Sequence, residues 1–195
     1  MYHNYRTTNT VKSWTPERRK NVLSSYQAMG ERYEDVVGKL LCSKLGGSFR
    51  RSTKIENTRK HIDIWWTDKE NTEHPIDVKM PKKTRRSDTA PDNTRTWVEL
   101  VNKAGNPGWV YGEEKWIAFV REGEFNEVIF ADRAKLANFV ENKIKNSKIN
   151  TYNSGVSYEL YSRAAWGDHD VMTIVPFDDI EPFVDFRLKL DSKEA

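Results

Sequence analysis

The spacing of apolar residues changes once near the start of the chain, and this change constrains the fold more than any other feature. Up to Leu45 apolar side chains recur every three or four positions, and TPERRKNVLSSYQAM and ERYEDVVGKLLCSKL predict two helices with a bend or break at Gly30. From Ser48 the spacing becomes two, and SFRRSTKI, HIDIWW, HPIDVKM and TWVELVN predict four strands. Helices followed by strands predict an α/β protein.

The rest of the chain continues this mixed pattern. WIAFVR and EVIFA predict two more strands, DRAKLANFVENKIKN predicts a helix capped by Asp132, and YELYSR and DVMTIVP predict later strands. DDIEPFVDFRLKL predicts a short closing helix. A length of 195 residues suits one domain. We expect a single domain over 1–195, with a helical segment at about 15–45, a core at about 25–146 and a C-terminal extension at about 150–195.

Composition excludes several classes of protein. No apolar run approaches the roughly 18 residues that a membrane span needs, and the first residues lack the apolar region of a secretion signal, which predicts a cytoplasmic protein. The single Cys42 lies in an apolar run, as a reduced core thiol does. Residues 1–110 carry a net charge of +8 and residues 111–195 a net charge of −5. This asymmetry favours a polyanionic partner such as nucleic acid, although ordinary proteins also have basic halves.

Two of the predicted strands carry acidic and basic residues at matched positions. In HPIDVKM, Asp77 and Lys79 are two apart and share one face, while Ile76 and Val78 share the other. In HIDIWW, Asp63 also lies on the polar face of its strand. The short polar connection between the two strands predicts a hairpin that brings Asp63 beside Asp77. Two adjacent carboxylates repel unless a cation lies between them, and oxygen ligands suit Mg²⁺ or Mn²⁺. A lysine beside such an ion orients or deprotonates water, or stabilises charge on a phosphate.

These residues resemble the motif of the PD-(D/E)XK nuclease superfamily. That motif has a glutamate on a helix, an aspartate on one strand and (D/E)-x-K on the next, matched by Glu34 in GERYEDVVGKLL, Asp63 in HIDIWW and Asp77-Val78-Lys79. The resemblance covers about residues 25–130. It implies a restriction endonuclease-like core with a mixed central sheet flanked by helices in the order αβββαβ. It also implies that Glu34, Asp63 and Asp77 bind metal; Glu31, one turn earlier, is the alternative helical acid.

The sequence departs from the pattern at two positions that remove no ligand. Ile62 replaces the proline before the first aspartate, and Asp77 stands where glutamate is frequent. The segment TWVELVNKAGNPGWVYG also resembles phage-type members of the superfamily, which would place the protein in the host cytoplasm, and junction-resolving members are a further analogy. Glu99 in this segment is a fifth catalytic candidate, on the condition that its strand neighbours the strand of Asp77.

Basic residues flank these strands in the sequence. The long irregular segment PKKTRRSDTAPDNTRT follows Lys79 directly, and it is interpreted as a phosphate clamp or as a solvated tract. The predicted DNA-backbone contacts are Arg50, Arg51, Lys82, Lys83, Arg85, Arg86 and Arg95.

The sequence thus predicts a DNA endonuclease that uses Mg²⁺, with Mn²⁺ as the alternative ion. A homodimer is one expectation, because cutting two strands takes two sites, and nicking as a monomer is the other. Two rival hypotheses stay open: a non-catalytic DNA-binding or assembly protein of the same fold, and a nuclease that acts on RNA.

Overall fold

The computed structural model describes residues 16–84, 88–162 and 169–190, and within them it shows a mixed α/β protein with two mixed sheets. This confirms the predicted α/β class. The described α-helices are α1 Pro16–Leu45, α2 Lys54–Lys60, α3 Arg133–Ile144 and α4 Phe177–Ile180. The described strands are β1 Ser48–Arg51, β2 Ile64–Thr67, β3 Glu73–Lys79, β4 Arg95–Val101, β5 Trp116–Arg121, β6 Glu127–Asp132, β7 Ile149–Asn150, β8 Leu160–Ser162, β9 Val171–Pro176 and β10 Val184–Lys189.

Helix α1 runs unbroken through Gly30, so the prediction of two opening helices with a bend or break is wrong. A glycine lowers helix propensity by about 1 kcal/mol but does not forbid helical dihedrals, and packing of the following turns outweighs that cost. Val37, Leu40 and Leu41 are fully buried on one face of α1. The helix ends where Gly46 adopts a left-handed φ of 85° and donates its N–H to the carbonyl of Cys42.

The larger sheet has six strands in the order β1-β2-β3-β5-β6-β10. Strands β3 and β5 are parallel, and every other neighbouring pair in this sheet is antiparallel. The smaller sheet has the order β4-β9-β8-β7. The strand of Glu99 therefore belongs to the second sheet and does not pair with β3.

Two apolar clusters cover the two faces of the larger sheet. The first packs α1 against the sheet and includes Leu40, Ile76 and Phe130. The second joins the opposite face to α3 and the smaller sheet, and it includes Val98, Ile117 and Leu136. The buried α3 residues recur with helical spacing behind an Asp132 N-cap that accepts from the amide of Lys135, as predicted.

Two segments of the structure differ from the predicted secondary structure. The strand predicted over SFRRSTKI ends at Arg51, and the residues after Thr53 form helix α2. The predicted closing helix is limited to α4 and a 3-10 turn over Glu181–Phe183, after which the chain forms β10 and pairs with β6. The pairing of VDFRLK with β6 partly buries every second residue, a spacing that a strand gives and a helix does not.

The full αβββαβ order is not reproduced. Between β3 and β5 the described residues contain β4 and a 3-10 turn over Trp109–Tyr111, while α3 follows β6. The segment predicted as a C-terminal extension contributes strands to both sheets. In the described part of the chain, no helix has both the length and the apolar content to cross a membrane.

Candidate functional site

The hairpin of β2 and β3 places the two aspartates side by side. Ile64 pairs with Ile76 in the antiparallel register, and the amide of Asp63 donates to the carbonyl of Ile76 at 2.9 Å, so Asp63 lies opposite Asp77. The amide of Val78 donates to Asp63 Oδ2 at 2.8 Å. The predicted hairpin is confirmed, and its backbone fixes the carboxylate of Asp63 beside β3.

Asp77 and Lys79 form a buried ion pair on the face of β3 that points away from α1. Lys79 Nζ lies 2.7 Å from Oδ1 and 2.6 Å from Oδ2 of Asp77, and Asp77 is only 2% exposed. The ammonium also lies 4.7 Å from the ring centre of Trp109, in the 3-10 turn before β5. The pair is thus held between β3 and the segment that leads into β5.

Burial and charge act in opposite directions on this pair. Burial raises the pKa of Asp77 well above its usual value, and nearby Asp63 raises it further against the attraction of Lys79. Burial lowers the pKa of Lys79, but attraction to Asp77 and Asp63 outweighs it and leaves the pKa raised. The raised pKa favours the protonated form of Lys79, which is suited to binding an anion or orienting water.

Glu34 of α1 interacts with the site through the charge of Asp63. Burial and that charge raise the pKa of Glu34 to about 7, while Arg51 acts to lower it. The side chain of Glu34 is 18% exposed, whereas that of Glu31 is 46% exposed and lies 3.4 Å from Arg51. Burial and coupling to Asp63 favour Glu34 over Glu31 as the helical acid.

Glu114 is a further acidic residue at this site, and the sequence analysis did not find it. It precedes β5, it is 2% exposed, and neither carboxyl oxygen has a hydrogen bond of ordinary geometry among the described residues. Burial raises the pKa of Glu114 to about 8, against the lowering effects of its own backbone amide, Lys79 and Arg133. Glu114 reaches the site only because β5 pairs in parallel with β3, and no local sequence pattern predicts that pairing.

Asn57 on α2 is the second residue that sequence analysis missed. Its side-chain amide donates to Asp63 Oδ1 at 2.6 Å. Helix α2 begins with a capping box, in which Thr53 Oγ1 accepts from the amide of Glu56 and Glu56 Oε2 accepts from the amide of Thr53. The sequence TKIE carries this signal.

The predicted DNA contacts fall into three groups. Three arginines are already bonded within the protein: Arg50 to Glu56, Arg51 to Asp35 and the carbonyl of Glu31, and Arg95 to Asp92, Thr84 and the carbonyl of Gly155. Lys82 and Lys83 are exposed. Arg85 and Arg86 lie outside the described residues. The segment after β3 is therefore held by its own polar contacts, and Arg95 is one of the residues that hold it.

Glu99 does not meet the condition on which its assignment depended. Its neighbours Val98 and Leu100 point into the cluster shared with β5 and β6, so alternation places Glu99 on the other face of β4. In that sheet it pairs with Met172 of β9. The structure removes the basis for placing Glu99 at the metal site.

The carboxylates of the site are potential ligands of a divalent cation. In the described residues, no three His, Cys, Asp or Glu side chains are already arranged to hold an ion. Mg²⁺ needs less from a protein, because one or two carboxylates suffice when water and phosphate complete its octahedron. Asp63 and Asp77 provide two carboxylates. The carboxyl of Glu114, whose buried oxygens are unsatisfied within the described ranges, interacts electrostatically with this site. The residues present fit Mg²⁺ or Mn²⁺.

No family model matches the sequence, and no curated protein or solved structure is significantly similar to it.

Proposed function

We propose that the protein is a metal-dependent DNA endonuclease with a restriction endonuclease-like core. One observation carries the proposal: Asp77 and Lys79 share a buried face of β3, and Asp63, immediately before β2, lies directly opposite Asp77. The antiparallel strands β1, β2 and β3, followed by the parallel neighbour β5, support the proposed core.

Each acidic residue has a role in this proposal. Asp63 and Asp77 hold Mg²⁺, and Glu34 assists directly or through water. When bound, Mg²⁺ supplies a polarised phosphoryl oxygen and an acidified water. Asn57 and the amide of Val78 each donate to one oxygen of Asp63, which orients that carboxylate before any ligand arrives.

Lys79 supplies the positive charge that the protein itself contributes to the proposed catalytic site. Its ammonium stays protonated because Asp77 and Asp63 raise its pKa, so it binds a phosphate oxygen or orients the attacking water. Packing against Trp109 restricts where the ammonium can move. The exposed Lys82 and Lys83, which follow three and four residues later, extend this positive charge toward the DNA backbone.

Cleavage assays test the proposal. Labelled duplex, single-stranded, branched and supercoiled DNA, with matched RNA, are incubated with Mg²⁺, Mn²⁺ or EDTA. We expect the native protein to cut DNA with metal only, and Asp77→Asn and Lys79→Met to lose at least about 10²-fold in rate. Glu73→Gln is the matched control, because Glu73 is an exposed residue of the same strand, and its activity should equal that of the native protein.

Two results would contradict the proposal. Cleavage of RNA alone would assign the site to the other nucleic acid. Binding of DNA without cutting by either metal would favour the non-catalytic DNA-binding or assembly protein of the same fold.

A further inference from the structure

The carboxyl group of Glu114 is buried without the contacts that a structural carboxyl normally makes. Glu114 is 2% exposed, and both of its oxygens lack a hydrogen-bond partner in the part of the chain that the structure describes. Burying a carboxyl group without hydrogen bonds costs free energy even when the group is neutral, because it gives up its hydrogen bonds to water. A group kept at that cost needs an explanation outside packing.

The backbone around Glu114 is pinned on both sides. The amide of Glu113 donates to the carbonyl of Lys60, and the amide of Lys115 donates to the carbonyl of Pro75, both at 2.9 Å. Arg133 Nε donates to the carbonyl of Glu114 at 3.1 Å. The side chain is therefore positioned by its neighbours and not by contacts of its own carboxyl group.

Gly112 leaves space for this carboxyl. A Cβ atom at position 112 would lie 2.0 Å from Glu114 Oε2 and 2.7 Å from the carbonyl oxygen of Lys60. Any other residue at this position would therefore displace the carboxyl group. The glycine and the three hydrogen bonds to backbone carbonyls together form a cradle for one acidic side chain.

Electrostatic interactions link Glu114 to the candidate metal site. The charge of Glu114 acts on both Asp77 and Lys79, and Asp63 acts on Glu114. Three carboxyl groups from three segments of the chain thus interact with one another and with one ammonium. With all of them ionised the cluster carries an excess of two negative charges, which is the charge that one divalent cation balances.

We infer that Glu114 is a third acidic ligand of the divalent cation, contributed by the segment that leads into β5. The inference rests on the metal site of the proposed function and adds a ligand to it. No three acidic side chains of the described residues are already arranged to hold an ion, so the proposed binding would include a shift of these side chains. A third carboxylate strengthens the site enough to bind the cation before DNA supplies a phosphate ligand.

Titration of the DNA-free protein with Mn²⁺, followed by electron paramagnetic resonance of the free ion, tests this inference. We expect the native protein to bind Mn²⁺ and Glu114→Gln to bind it at least about tenfold more weakly, since loss of even an outer-shell group costs about 10–100-fold. Glu113→Gln is the matched control: the adjacent glutamate is exposed and paired with Lys60 at 2.7 Å, so its affinity should equal that of the native protein. Asp77→Asn reports on the proposed site itself.

The variants separate the two hypotheses. If Asp77→Asn weakens Mn²⁺ binding and Glu114→Gln does not, the inference is overturned and the proposed metal site stands. If the native protein binds no Mn²⁺ without DNA, the inference is overturned as well, and cleavage assays alone then decide the proposed function.

Thermal unfolding in EDTA shows whether Glu114→Gln folds. We expect this variant to unfold at the same temperature as the native protein or higher, because an amide replaces a carboxyl that burial destabilises in its charged form. Mn²⁺ should then raise the unfolding temperature of the native protein and of Glu113→Gln more than that of Glu114→Gln. An equal rise in all three would refute the inference independently of the resonance titration.

Discussion

Two carboxyl groups of this protein, one partly buried and one buried, show how hydrogen-bond donors decide the charge of an acid. Asp92 accepts from the amides of Thr94 and Arg95, the hydroxyls of Thr84 and Thr94, and the guanidinium of Arg95. These donors lower its pKa to about 2, although burial acts to raise it. Among the described residues, the carboxyl of Glu114 has no hydrogen bond of ordinary geometry, and burial raises its pKa to about 8. Asp92 is therefore held in its charged form by the protein, whereas Glu114 is not.

Asp92→Asn tests the structural half of this contrast. Because the pKa of Asp92 is lower in the folded protein than in the unfolded chain, its stabilisation is complete above about pH 4 and is lost as the pH falls toward about 2. We expect the variant to lose roughly 2 kcal/mol of unfolding free energy at pH 7, with the difference shrinking below pH 4. Urea unfolding at a series of pH values measures it.

A control residue makes that result specific. Glu124→Gln, at an exposed turn position, should change the unfolding free energy little at any pH. A difference between the native protein and Asp92→Asn that stays constant from pH 7 to pH 2 would show that the charge of Asp92 does not hold the segment after β3.

Alternation along the strands predicted the residues of the site that depend on local geometry. Asp77 and Lys79 share a face because they are two apart, and Asp63 joins them because a short hairpin fixes its register. Glu114 depends on a pairing between strands that β4 separates in the chain, so no local spacing reveals it. Asn57 depends on a helix that the sequence analysis did not predict, and the first two residues of that helix, Lys54 and Ile55, fall at the end of a predicted strand. Glu99 was misplaced because sequence order does not give sheet order.

At the scale of elements, helix α1 contains two glycines in contrasting surroundings. A Cβ atom at Gly30 would meet nothing within 4 Å. At Gly38 it would lie 2.3 Å from a ring carbon of Phe49, which packs against the helix from β1. The first glycine only weakens the helix, whereas the second makes room for the sheet.

Alanine at each position should therefore have opposite effects. We expect Gly30→Ala to raise the unfolding free energy by about 0.5–1 kcal/mol, since alanine favours the helix more than glycine does. Gly38→Ala should lower it by about 1–3 kcal/mol, because the ring of Phe49 must shift. Urea unfolding of both variants measures the changes. A loss of stability in Gly30→Ala would mean that the helix is bent at that residue.

Two of the elements carried signals that periodicity alone does not capture. The capping box in TKIE indicates a helix start, but the helix that follows has seven residues and no buried position, so it shows no apolar spacing. In VDFRLK the apolar residues alternate, and this spacing of two indicates a strand. The acidic and proline-containing residues before it favour a helical start and hid the change.

At the scale of the whole molecule, β10 ties the end of the described chain to the cluster beneath α1. Phe186 stacks on Phe130 with ring centres 4.4 Å apart and meets the edge of Trp116 at 5.1 Å. Trp116 Nε1 donates to Asp185 Oδ2 at 2.8 Å. Since Trp116 begins β5, the last strand supports the same element that carries Glu114 toward the site.

Phe186→Ala should therefore destabilise the molecule as one unit. We expect a loss of about 2 kcal/mol, below the value for a fully buried phenylalanine because Phe186 is half-buried. Circular dichroism and tryptophan fluorescence should report a single coincident transition. Arg187→Ala, on the exposed face of the same strand, should lose less than about 1 kcal/mol. Two separate transitions would show that β10 unfolds independently.

The pairing of β4 with β9 has a consequence for the order of events on the ribosome. Strand β4 leaves the exit tunnel more than 70 residues before its partner does, and the segments that carry Lys79 and Glu114 are delivered on either side of it. Until β9 emerges, β4 has no strand to pair with. The smaller sheet, which packs on the face of the larger sheet that carries the candidate site, is then incomplete. We expect the nascent chain to lack a finished site until β9 has been synthesised, so that the proposed activity on nucleic acid requires this later strand.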